Sequence, residues 1–181
     1  MNPIGTEENA PASPSWLRIV FIGRNPRNTL IRILVLVAIC FVAFYFVLLP
    51  VKIEGLSMLP TYRDGHIGLV NRLAYMSRSP QRGDIVAIRL ADKQVAHPHM
   101  FFMKRVIGLP GETVAFRDGH LLINGEIIDE PYVKNYSDWN MNPLKLSADQ
   151  YYVVGDNRSM PQDLHEHGPV ERWRIVGKLL L

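Results

Sequence analysis

From Ile33 to Leu49 the chain reads ILVLVAICFVAFYFVLL, seventeen positions without a charge, a glycine or a proline. A helix of about 20 residues spans roughly 30 Å, so this run is long enough to cross the hydrocarbon core of a bilayer. A buried core helix in so small a chain would keep a polar face. A cleaved leader would carry a shorter apolar stretch followed by small residues, whereas Pro50, Val51, Lys52 and Ile53 follow here. The pattern therefore predicts an uncleaved membrane-spanning helix over residues 30–50, with Arg32 able to snorkel. Arg18, Arg24, Arg27 and Arg32 flank it on the N-terminal side. Glu7 and Glu8 count for little in the positive-inside rule. That rule puts residues 1–29 in the cytoplasm as a tail and residues 51–181 outside, across a cytoplasmic (inner) membrane.

Beyond the apolar run the pattern changes to short strands and turns. Residues 84–90, 101–107 and 151–154 are rich in β-branched and aromatic side chains. Asp118-Gly119 and Asn124-Gly125 are hairpin signals, and Pro110-Gly111 marks another turn. Residues 129–148 are polar, hold two prolines and show no period, which reads as a long surface excursion. No helix longer than two turns announces itself outside the membrane. The fold class expected is mainly β, an antiparallel domain behind one membrane helix.

Composition sharpens this picture at three points. With 181 residues, 48% apolar and 20% charged, the chain suits one domain with a real core. The net charge is +3, too small to argue for nucleic acid. Past the apolar run 16 basic and 15 acidic side chains remain, so the basic balance belongs largely to the topology signal. The lone cysteine, Cys40, lies inside that run, which excludes an internal disulfide framework and a multi-cysteine zinc site.

Three stretches carry candidate chemistry. Ser57 stands in Gly55-Leu56-Ser57-Met58-Leu59-Pro60-Thr61, a turn sequence. A serine hydroxyl is a weak nucleophile until a base takes its proton. Six histidines, His66, His97, His99, His120, His165 and His167, offer bases for a triad, but none lies in a stretch that suggests a buried, oriented imidazole. His165-x-His167 offers two metal nitrogens without a third ligand pattern, and no metal is expected. Lys104 lies in the apolar strand FFMKRVIG, where alternation puts Phe102, Lys104 and Val106 on one face and Met103, Arg105 and Ile107 on the other. Desolvation there would lower its pKa and make it a base. Read from residues alone, Lys104 serves equally as an edge-strand charge that blocks aggregation. The third stretch is Gly155-Asp156-Asn157, followed by Asp163 and closing at Gly168, a tight turn that is weak evidence by itself.

Together and in this order, these stretches resemble the type I signal peptidase family of membrane-bound serine–lysine proteases. Ser57-Met58-Leu59-Pro60-Thr61 is similar to its S-M-x-P-T box, and Arg82-Gly83-Asp84-Ile85-Val86 to its R-G-D-[IV]-V strand. Residues 104–112 resemble its K-R-[VA]-x-G-x-P-G-[DE] box, and Gly155-Asp156-Asn157 the start of its last box. The resemblance implies Ser57 as nucleophile, Lys104 as general base and the Ser57 backbone N–H as an oxyanion donor. Gly55 stands where many relatives carry a second donor hydroxyl. The last box departs from the pattern: Pro161 replaces the serine that orients the lysine, Leu164 a second serine, and His165 an arginine. Ser159 is the nearest substitute hydroxyl. An Asp163–His165 pair would replace the family's Asp–Arg pair, with Arg105 as an alternative partner for Asp163.

The same resemblance implies an extended substrate between residues 51–56 and 101–103. Leu56, Met58, Phe102 and Met103 would shape pockets that admit only small side chains. Preproteins with Ala-x-Ala sites are the implied substrates, the membrane lipid and a secretion translocon the implied surroundings, and no cofactor is expected. A specialised maturation peptidase of a conjugation or secretion system, a mitochondrial inner-membrane peptidase, and a non-catalytic membrane-tethered peptide-binding β domain are the other readings.

Overall fold

The computed structural model describes residues 25–89 and 101–180. The expectations for Arg18, Arg24, Leu90, His97 and His99 fall outside them. The chain divides into two compact units, residues 1–43 and 44–181.

Helix α1 (Pro26–Val47) opens with Asn25, whose carbonyl accepts from the N–H groups of Asn28 and Thr29. Proline at the first helical position loses nothing, because that N–H has no intrahelical partner. The helix is apolar all round, and side chains such as Phe41 and Leu36 are well exposed. A helix of this kind is stable where the solvent is itself apolar. Among the described residues it is the one helix long and apolar enough to span a membrane. Leu48 and Leu49, which continue the apolar run in sequence, belong instead to the first strand.

Among the described residues, the second unit holds eleven antiparallel strands. They are β1 (Leu48–Lys52), β2 (Ile67–Asn71), β3 (Ile85–Arg89), β4 (Phe101–Gly108), β5 (Thr113–Arg117), β6 (His120–Ile123), β7 (Glu126–Ile127), β8 (Met141–Lys145), β9 (Gln150–Val154), β10 (Gly168–Glu171) and β11 (Ile175–Leu180). Seven form one sheet in the order β1-β2-β11-β3-β4-β9-β10, and four form another in the order β7-β6-β5-β8. Both predicted hairpins form. Asp118 and Gly119 have φ of 49° and 80°, and Asn124 and Gly125 have 52° and 89°, the left-handed pair that such two-residue turns require. Beyond the end of α1, the helical content of this unit, among the described residues, is two single 3-10 turns.

Residues 129–148 are not the surface excursion that their polarity suggests. Glu130, Val133, Trp139 and Leu146 are buried, and strand β8 lies within the segment. Most of the polar residues between them face solvent, so no run of apolar positions marks what is inside.

The core falls into three clusters. Val51, Met58, Val70, Ala87, Met103 and Leu179 pack beneath β1 and β2. Ile107, Phe116, Leu121, Trp139 and Tyr152 join the two sheets. Val86, Ile88, Val106, Val153 and Val170 form the third. Each large aliphatic side chain buried in this way contributes about 1.5–3 kcal/mol before conformational entropy is set against it.

Strand β4 touches all three clusters, and alternation along it runs as predicted: Met103 packs in the first, Ile107 in the second and Val106 in the third. Its pairing is asymmetric. β3 covers Phe101–Arg105, whereas β9 begins only at Arg105. Among the described strands, the edge of residues 101–104 facing away from β3 has no partner.

Candidate active site

Ser57 opens a turn two residues after Gly55, whose φ of +95° is accessible mainly to glycine. The turn is pinned at both ends. Asp64 accepts from the Gly55 N–H at 2.8 Å, and the Met58 carbonyl accepts from Tyr62 N–H at 2.9 Å. Met58 itself is buried in the first cluster, which ties the neighbour of Ser57 to Met103 on β4.

Lys104 reaches Ser57 from β4. Its Nζ donates to Ser57 Oγ at 2.9 Å. The lysine is 4% exposed, a very unusual burial for an ammonium. Desolvation lowers its pKa from the ordinary lysine value, and the Glu166 carboxylate acts in the opposite direction. Desolvation outweighs it, so the amine gives up its proton more readily than a solvated lysine does. Buried, hydrogen-bonded to a hydroxyl and lowered in basicity, Lys104 is not an edge charge.

The sequence boxes lock onto one another to hold this lysine in register. Gly83 N–H donates to Val106 O at 2.8 Å, and Arg105 Nη1 donates back to Gly83 O at 2.7 Å. Arg82 bonds the Ile107 carbonyl and pairs with Glu112 at 2.6 Å. The R-G-D and K-R boxes are thus two sides of one clamp on β4.

Gly155, Asp156 and Asn157 come up beneath Ser57. A Cβ on Gly155 would lie 2.2 Å from Ser57 O, so only glycine fits. Asn157 N–H donates to Ser57 O at 2.9 Å, and Asn157 Nδ2 donates to Leu56 O at 3.0 Å. Asp156, fully buried, takes two hydrogen bonds from Arg105, at 2.8 and 2.6 Å, and one from Thr61 Oγ1 at 2.5 Å. The Arg105 guanidinium also lies 3.9 Å from the Tyr132 ring centroid.

These contacts correct several expectations. Arg105 pairs with Asp156, not Asp163, which is exposed on the 3-10 turn Gln162–Leu164. His165 forms no ion pair with Asp163. It is buried, stacked edge-on against Trp139 at 5.0 Å, and its ring edge faces Gly155. Burial, with Lys104, His167 and Arg158 nearby, holds its pKa down to about 4, so it is neutral at physiological pH. The expectation that none of the six histidines is buried and oriented fails for this one. Ser159 does not reach toward Lys104; its hydroxyl donates to Asn157 Oδ1 at 2.6 Å.

Sequence reading passed over one pair altogether. Arg158 and Glu130, each 1% exposed, form a bidentate bridge at 2.9 and 2.5 Å, and Arg158 Nε also donates to Gly155 O at 3.1 Å. Phe116 and Trp139 lie against the guanidinium. The pair anchors the turn that holds Ser57. Its only advance sign was an arginine directly after Gly155-Asp156-Asn157.

A cleft of about 250 Å³ runs past the serine and lysine. Residues 53–58 and 101–104 line it, with Met160, Leu164 and Glu166. Leu56, Met58, Phe102 and Met103 are all among its lining. Among the described residues, no group of three or more histidine, cysteine or acidic side chains is arranged to hold a metal.

The chain is 38% identical over 128 residues to "Signal peptidase I" of Leptolyngbya laminosa, covering 69% of this chain and 63% of that one. It is 34% identical to "Signal peptidase I V" of Bacillus subtilis, covering 72% and 83%. It is 32% identical to "Signal peptidase IB" of Staphylococcus aureus, covering 83% and 85%. It spans 63% and 58% of the lengths of its relatives from Leptolyngbya laminosa and Synechocystis. A crystal structure of a signal peptidase I from Enterococcus faecalis is 31% identical, with a TM-score of 0.44, covering 57% of this chain and 98% of that one. The family described as signal peptidase, peptidase S26, matches residues 27–181, and the chain belongs to that family.

Proposed function

We propose that this protein is a membrane-anchored serine endopeptidase that removes signal peptides from exported preproteins after a small residue. The observation that carries the reading is the 2.9 Å contact between Lys104 Nζ and Ser57 Oγ in a desolvated site. With Lys104 neutral, its amine accepts the Ser57 proton as Oγ attacks the scissile carbonyl. The Ser57 N–H donates to the developing oxyanion, and such a donor contributes about 3–4 kcal/mol to the transition state. The protonated lysine then hands its proton to the leaving amine, and an acyl-enzyme forms on Ser57. Water, activated by the same lysine, hydrolyses it.

Two features support an extended peptide as substrate. The unpaired edge of residues 101–104 offers main-chain groups for strand addition. Leu56, Met58, Phe102 and Met103 line the cleft with apolar surface, which suits small apolar side chains beside the scissile bond. The arginine flank of α1 orients the second unit outside the cytoplasmic membrane. Holding enzyme and substrate in one bilayer raises their effective concentration; a translocon delivers the substrate there. Pro161, Leu164 and His165 in the last box favour, as a second reading, a maturation peptidase with a narrow substrate range.

The test is cleavage of a preprotein with an Ala-x-Ala site in detergent micelles. Wild type cleaves it, and Ser57→Ala and Lys104→Met each abolish cleavage while remaining folded. Activity surviving in Lys104→Met would falsify the dyad.

A further inference from the structure

A second groove, of about 190 Å³, opens on the other side of Lys104. It shares Phe102, Lys104 and Glu166 with the cleft described above. Ile88, Val153 and Val170 supply apolar lining, and Arg174 adds a charge. None of the turn residues 53–58 contributes to it. Sites for small molecules or cofactors enclose about 300–1,000 Å³, so this groove suits one or two peptide side chains.

The chemistry of the cut determines what lies there. The proton that Lys104 takes from Ser57 must reach the leaving nitrogen, which therefore comes within hydrogen-bond reach of Nζ. The acyl half of the substrate occupies the cleft between residues 53–58 and 101–104. The chain beyond the cut departs from Lys104, and the groove is the apolar surface that begins at that residue.

Building on the Ser57–Lys104 reading, we propose that this groove receives the first residues after the scissile bond, and that Glu166 selects a basic over an acidic side chain there. Glu166 is exposed and lines both spaces. The other charged or titratable groups of the groove are Lys104, His167 and Arg174. Lys104 is neutral in the attacking form. His167 is half-buried and bonded to Tyr152 Oη at 2.6 Å, and burial lowers its pKa. Arg174 donates to the Arg89 carbonyl at 3.1 Å and lies 3.8 Å from Glu171. Glu166 is thus the uncompensated charge at the junction.

The experiment uses the full chain in detergent micelles and three preproteins that differ only in the residue after Ala-x-Ala: lysine, glutamine or glutamate. An exposed ion pair amounts to at most about a fivefold effect. Wild type should prefer lysine over glutamate by about that factor in kcat/KM. Glu166→Gln should bring the ratio to about one, and Glu166→Lys should reverse it. Each ratio is taken within one enzyme, so any change in Lys104 basicity cancels. Equal ratios in all three enzymes, with good cleavage, overturn this inference and leave the dyad standing. Failure of wild type to cleave any of the three overturns both.

Discussion

Lys104 Nζ and Ser57 Oγ stand 2.9 Å apart although 47 residues separate them in the chain. Neither residue is reactive alone. A serine hydroxyl needs a base, and a solvated lysine is protonated at neutral pH. Burial on β4 makes the charged amine costly where it meets the Ser57 hydroxyl, which is the change that the proposed proton transfer needs.

The pH profile follows from that burial. Since the base must be neutral, kcat/KM should rise with pH to a plateau, with an apparent pKa below the ordinary lysine value of 10.5. Glu166 favours the ammonium, so Glu166→Gln should move the acidic limb to lower pH. Initial rates from pH 6 to 10 on one substrate check this. A limb that stays in place would remove Glu166 from the electrostatics of the base.

Gly155→Ala should cost activity out of proportion to stability. Its Cβ would press on the Ser57 carbonyl at 2.2 Å and on His165 at 2.8 Å. The Ser57 backbone must give way, and displacing a catalytic group by about 1 Å costs on the order of a hundredfold. Kinetics and urea unfolding, measured together, should show a large loss of kcat/KM beside a smaller loss of stability.

Asp156→Ala should destabilise the fold by about 3–5 kcal/mol, because it leaves the largely buried Arg105 guanidinium without its carboxylate. Thr61 loses its acceptor in the same step. Asp163→Ala, at an exposed position, should change stability by less than about 0.5 kcal/mol. Denaturant midpoints of the two variants make the comparison.

The Glu130–Arg158 bridge invites a double-mutant cycle. Glu130→Leu alone strands a buried guanidinium and should cost about 3–5 kcal/mol. Adding Arg158→Met should recover most of that loss, since an apolar pair of similar volume is often neutral there. If the double variant is no more stable than the single one, the hydrogen bond from Arg158 to Gly155 matters more than the ion pair.

His165 should make the fold acid-sensitive. Its pKa is about 4 in the fold and 6.5 in the ordinary case. As pH falls through 6.5 the unfolded chain takes up the proton first, so stability declines between pH 6.5 and 4 and this contribution levels off below. The loss is of order 3 kcal/mol at most. Melting temperatures across this range should fall less steeply in His165→Gln.

Much of the molecule is legible in its sequence because the signals are local. An unbroken apolar run makes α1, period-two alternation sorts the side chains of β4, and Asp-Gly and Asn-Gly make the hairpins. The boxes around Ser57 and Lys104 are likewise local, since each turn or strand needs its own residues. What the tertiary structure decided are partnerships across the chain. It chose Asp156 over Asp163 for Arg105, buried His165 against Trp139, and drew Glu130 and Trp139 out of a polar segment into the core. A charge or an imidazole in a loop carries no period, and its partner is fixed by which strands pair and how their ends pack. Burial then sets its protonation, so the chemistry of Lys104 and His165 exists only once the two sheets and the turns between them have assembled.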